Sequence, residues 1–91
     1  MHPPADSGPC IYILRCGDDS LYTGAAKDLA RRIADHHGKR GARYVRARLP
    51  VELVYWEPCA DWPSALRREY QIKQLTRLQK ERLLRRRTTG C

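Results

Sequence analysis

The segment Cys10-Ile11-Tyr12-Ile13-Leu14-Arg15-Cys16 constrains the fold more than any other, because it is an apolar run broken only by Arg15. Its β-branched and aromatic content reads as a strand buried on both faces, since a half-exposed strand would alternate apolar with polar residues. Gly17-Asp18-Asp19-Ser20 is turn chemistry, and extended structure resumes from Leu21 to Gly24, so the first unit reads as a β-hairpin. Pairing Cys16 with Ser20 across the turn places Leu14 opposite Tyr22 and sets Tyr12 and Tyr22 on one sheet face. A register one residue different would separate them. Two phenols on one face either pack together or form a polar floor that holds a water and a phosphate.

The remaining elements follow from local pattern. Residues 28–37 carry Leu29, Ala30, Ile33 and Ala34 as an apolar stripe at helical spacing, and Gly38-Lys39-Arg40-Gly41 stops that helix. A basic loop leads to Pro50, and Val51 to Glu57 is a second β-branched and aromatic run, the expected third strand. Asp61-Trp62-Pro63-Ser64 opens another helix, with Pro suited to a first turn. Thr76 and Gln79 make a capping box for a last helix that ends in Arg85-Arg86-Arg87. The expected organisation is a leader without periodicity over residues 1–9, one domain over 10–84 and a frayed basic tail over 85–91. A chain of 91 residues is too short to divide into two cores.

Charge narrows the partner. Residues 27–48 hold eight basic and two acidic side chains and residues 64–91 hold nine and two, leaving the rest of a +8 chain net acidic. Two concentrated basic blocks fit a polyanion, DNA first and RNA as the alternative; the plainer reading is a solvated, solubilising face. Within and beside them Lys27, Lys39, Arg40, Arg43, Arg46, Arg68 and Lys73 are the expected nucleic-acid contacts. No apolar run approaches the roughly 18 residues a membrane span requires. The four cysteines form no C-x-x-C pair, which argues against structural zinc, and free thiols in a reducing cytoplasm are expected.

Three further residues carry possible chemistry. Arg32 and His36 are four apart on the first helix and share a side. They are either an exposed Arg with a helix-terminal His, or a phosphate-binding pair whose planar guanidinium matches phosphate oxygens. Glu69 lies beside the apolar face set by Ala65, Leu66 and Ile72. A carboxylate there requires a partner, either an internal Arg or a hard divalent cation. One metal-holding carboxylate, one Arg and polar groups around a water are what phosphodiester hydrolysis needs.

These residues stand in a pattern that resembles the GIY-YIG endonucleases. Most similar are the small stand-alone bacterial proteins related to the nuclease half of the structure-specific Holliday-junction-processing subunit. The resemblance spans about Cys10 to Leu84 through six segments in order: Cys10-Ile11-Tyr12, Tyr22-Thr23-Gly24, the helix Asp28 to Ile33 ending at His36, Ala42-Arg43-Tyr44, Pro50 to Tyr55, and Arg68 to Lys73. It implies an α+β fold, a three-stranded antiparallel sheet flanked by helices in the order β-β-α-β-α-α.

It also implies roles. Tyr12 would be the general base or water-orienting phenol and Tyr22 its phosphate- or water-binding partner. Arg32 would stabilise the pentacoordinate phosphorus, His36 would assist, Glu69 would ligate one Mg²⁺ or Mn²⁺, and Lys73 would contact phosphate. The implied activity is metal-dependent cleavage of branched or damaged DNA in repair or recombination; the alternative is a catalytically weak module that only binds DNA or RNA. Cys10 replaces the first Gly of the motif and Thr23 the middle Ile, both tolerable in a strand backbone. Ala25 and Val45 also depart from common relatives. No zinc-binding tail or separate DNA-binding domain is expected, so substrate choice falls to the basic blocks or to a protein partner.

Overall fold

The computed structural model describes residues 8–38 and 40–89. The leader expected at the N-terminus, except for Gly8 and Pro9, lies outside the described residues, as does Lys39. Seven elements follow in order: β1 (Cys10–Cys16), β2 (Leu21–Ala26), α1 (Leu29–His37), α2 (Arg43–Arg46), β3 (Val51–Pro58), α3 (Trp62–Lys73) and α4 (Arg77–Thr89). The sheet is antiparallel, order β2-β1-β3, so the apolar run occupies the centre and is covered on both faces.

The hairpin has the expected register. Leu14 faces Tyr22 and Tyr12 faces Gly24, with Cys16 N donating to Ser20 O at 2.9 Å. Asp19 takes a left-handed φ of 67° in the turn, a conformation Asp tolerates better than most residues. The pairing of β1 with β3 is less regular, because a bulge between Ile13 and Leu14 leaves Val54 unmatched between Tyr55 and Leu53. The bulge reverses the alternation along β3. Val51 and Leu53 pack with Cys10, Tyr12, Leu14 and α1 on one face, while Tyr55 joins Ile11, Ile13 and α3 on the other.

α1, α3 and α4 begin where side chains can satisfy free backbone N–H groups, whereas α2 starts at Ala42 without a side-chain cap. Asp28 accepts from Arg31 N at 3.2 Å and Asp61 from Ser64 N at 2.8 Å. Thr76 and Gln79 close a reciprocal box at 2.9 and 3.2 Å. One feature departs from the sequence reading. The basic loop contains the one-turn helix α2, held by Val45, which is wholly buried. The last helix, α4, spans Arg77–Thr89.

Candidate active site

Strand alternation turns Tyr12 toward α1, and the ring lies across Gly24 of the neighbouring strand. A Cβ at position 24 would stand 2.5 Å from the phenol oxygen, so only glycine leaves the side chain its path. Tyr12 is 1% exposed and its hydroxyl meets His36 Nε2 at 2.8 Å. His36 itself is fully buried, which α1 achieves by placing it one turn after Ile33's neighbour Arg32, on the sheet-facing side. Its Nδ1 has no hydrogen-bond partner among the described residues, and it faces Gly41, where a Cβ would come within 2.1 Å.

The other tyrosines extend this pair toward the surface. Tyr22 lies 6.4 Å from Tyr12 and 5.7 Å from His36, ring centre to ring centre. Tyr44 of α2 stacks on Tyr22 at 6.0 Å, and the Arg48 guanidinium covers its ring at 3.7 Å. Thr23 turns to the opposite face, where its hydroxyl is buried without a partner among the described residues.

Arg32 brings the charge. Its guanidinium stands beside the Tyr12 phenol; burial works against the cation, but the Tyr12 and Tyr22 hydroxyls hold its pKa above the ordinary Arg value. Burial pushes Tyr12 up to about 12, opposed by Arg32 and reinforced by Tyr22 and the more distant Glu69 carboxylate. Burial and then the Arg32 charge lower His36 to about 4, so the imidazole is neutral at pH 7. The neutral tautomer follows from the unpartnered nitrogen. A proton on Nε2 gives Tyr12 Oη a donor and leaves Nδ1 a bare lone pair, whereas a proton on Nδ1 would bury an unpaired N–H, the costlier defect.

Glu69 approaches from α3. It is largely buried, with side-chain exposure of 19%, and its carboxylate pairs with Lys73 one turn along at 3.0 Å. That partner is a Lys one turn along rather than the internal Arg weighed from sequence. No cluster of three or more His, Cys, Asp or Glu occurs among the described residues. A donor set of one carboxylate suits Mg²⁺ or Mn²⁺, which keep most of their waters, and suits neither zinc nor calcium.

The structure therefore gathers Tyr12, Tyr22, Arg32 and His36, with Glu69 within electrostatic reach. Among the nucleic-acid candidates, Arg43 and Arg46 are exposed on α2, Arg40 lies 3.5 Å from Asp35, and Lys27 sits over the Trp62 ring. Arg68 is engaged elsewhere, in a two-pronged contact with Glu57 at 2.9 Å on each side, next to the Tyr55 hydroxyl that also binds Glu57. Sequence reasoning missed Tyr44 as part of the aromatic row and Gly24 and Gly41 as the residues that leave room. Tyr44 had two visible signals, its place in the segment Ala42-Arg43-Tyr44 and its setting among Arg43, Arg46 and Arg48.

The sequence matches a family model over most of its length. Residues 8–82 match the GIY-YIG catalytic domain, and the chain belongs to that family, a nuclease superfamily. Within it, the chain is similar to proteins named only UPF0213. One from Staphylococcus epidermidis is 49% identical over 74 residues, 81% of this chain and 90% of that protein. Another, from Natronomonas pharaonis, is 46% identical over 74 residues, 81% of this chain and 87% of its own length. The solution NMR structure of UPF0213 protein BH0048 from Bacillus halodurans superposes with a TM-score of 0.55 at 42% identity, covering 84% of this chain and 81% of that one.

Proposed function

We propose that the protein is a metal-dependent endonuclease that hydrolyses phosphodiester bonds in DNA, acting in the cytoplasm on branched or damaged substrates of repair or recombination. The observation that carries this reading is the convergence of Tyr12, His36 and Arg32 from β1 and α1, with the Glu69 carboxylate bearing on the same phenol from α3. Glu69 would hold one Mg²⁺ or Mn²⁺, and Lys73 would pass to a substrate phosphate. Such an ion, when bound, polarises the scissile phosphate and lowers the cost of a nearby anion.

The chain's own residues account for the rest. His36 Nε2–H and the Arg32 cation both stabilise a Tyr12 phenolate, which takes a proton from the attacking water. The water oxygen bonds to phosphorus and the bond to the leaving sugar oxygen breaks, that oxygen being protonated from solvent. Arg32 then offsets the charge that builds on the equatorial oxygens. Tyr22 fixes a non-bridging oxygen or the water.

One observation favours a rival, a module that binds nucleic acid without cutting it: Lys73 already neutralises Glu69. Supercoiled plasmid and branched oligonucleotides, with Mg²⁺, Mn²⁺ or EDTA, separate the two. Wild type should nick only with the metal, while Arg32→Ala and Glu69→Gln should lose at least about a hundredfold in rate, the scale of removing one transition-state contact. Equal behaviour of all three proteins, with DNA retained at low salt, would establish the rival instead.

A further inference from the structure

Arg32 has a second environment. Besides standing beside Tyr12, it lines an open cleft of about 380 Å³ together with Trp62, Lys27, Arg31, Ala25 and Ala26. The volume lies in the range of small-ligand sites, roughly 300–1,000 Å³. Trp62 opens α3 and is half-buried, and the Lys27 ammonium rests 5.1 Å from the centre of its ring. Two acids also border the cleft, but both have partners. Asp28 caps α1 through Arg31 N, and Asp35 lies 3.5 Å from Arg40. The cations therefore set the sign of the cleft.

We infer that this cleft takes an unpaired nucleotide of the DNA strand held at Arg32, its base stacked on Trp62 and its phosphates on Lys27 and Arg31. The inference rests on the nuclease reading and names what that site selects. An indole face receives a base only when one side of that base is free, as in a flap, a frayed end or a branch point; inside a duplex both sides are already stacked. The free protein covers the ring with Lys27 instead. Exchanging an exposed cation–π contact for base stacking while moving the ammonium onto a phosphate improves both interactions. Ala25 and Ala26 leave the space that longer side chains would fill.

Trp56 and Trp62 are the only tryptophans, so a Trp56→Phe protein reports on Trp62 alone. Its fluorescence is titrated with a short oligothymidylate and with a blunt duplex of equal length, in EDTA so that nothing is cut. The single strand should quench Trp62 saturably. Trp62→Ala, followed by anisotropy of labelled DNA, should bind the single strand about tenfold more weakly, Trp62→Phe should recover most of that loss, and duplex binding should change by less than about twofold. Absence of quenching, or equal loss for both DNAs, overturns the inference. If Trp62→Ala does not fold, the quenching and the Phe variant decide. Plasmid nicking without Trp62 quenching would remove this inference alone, and quenching without nicking would remove the nuclease reading alone.

Discussion

At the scale of single residues the site turns on two buried rings whose ordinary acidities are displaced in opposite senses. Tyr12, raised to about 12, is almost wholly protonated at pH 7, so the fraction able to act as a base grows about tenfold per pH unit. Cleavage by the wild type should therefore rise with a log-rate slope near one from about pH 7 to pH 9. Tyr12→Phe should abolish both the activity and the slope, and should cost about 1–3 kcal/mol by leaving His36 Nε2 buried without its partner. A flat profile in the wild type would remove Tyr12 from the base role. His36 makes the opposite prediction. Its folded pKa of about 4 lies below the ordinary 6.5, so the unfolded chain takes the proton first and stability falls as pH drops between those values. The loss is on the order of 3 kcal/mol, complete by about pH 4 and absent above about pH 7. Denaturant melts of wild type and His36→Gln across that window measure it as the difference in their pH dependence; identical dependence would mean that His36 is not held neutral.

Among the elements, caps and close approaches decide how well the site is held. Asp61 starts α3, the helix that presents both Glu69 and Trp62. Asp61→Ala should lower stability by about 1 kcal/mol, read as a shift of the urea midpoint with an unchanged slope. Position 41, in the connection from α1 to α2, is more sensitive. Gly41→Ala would put a Cβ 2.1 Å from His36 Nδ1, so the ring must leave Tyr12 or the connection must move. We expect about 1–3 kcal/mol of destabilisation together with a fall in cleavage rate. Wild-type stability and rate in that variant would show that the loop yields freely. The bulge in β1–β3 acts at the same scale, because it alone allows Leu53 and Tyr55 to serve opposite cores.

For the whole molecule, the question is which of eighteen basic side chains meet DNA. Each phosphate neutralised contributes about 0.9 to the slope of log K against log salt. Arg43 and Arg46, exposed on α2 beside the aromatic row, should each lower that slope by about one when changed to Ala. Arg68→Ala should leave the slope alone and reduce stability, because it strips Glu57 of its two-pronged partner. The opposite pattern, a slope change only at Arg68, would move the DNA track to the other face of the sheet. No helix among the described residues is long and apolar enough to cross a membrane.

Local pattern by itself determined a great deal. The run Cys10–Cys16 required a covered central strand, and the turn residues required the hairpin and its register. Asp28, Asp61 and the Thr76/Gln79 box dictated where helices start, because each is satisfied by neighbours three residues away. Periodicity also set which faces Tyr12, Tyr22, Arg32 and His36 share. What periodicity cannot give is the distance between one element's face and another's. Tyr12 and His36 are 24 residues apart, and only the packing of α1 on the sheet brings Oη to 2.8 Å from Nε2. The same holds for the fate of cations that look alike in sequence. Lys73 neutralises Glu69, Arg68 is bound to Glu57 and Lys27 lies on Trp62, while Arg43 and Arg46 stay exposed. Charge is written in the chain, but a charged group's partner is chosen by which side chain stands within a few ångströms once the core has closed.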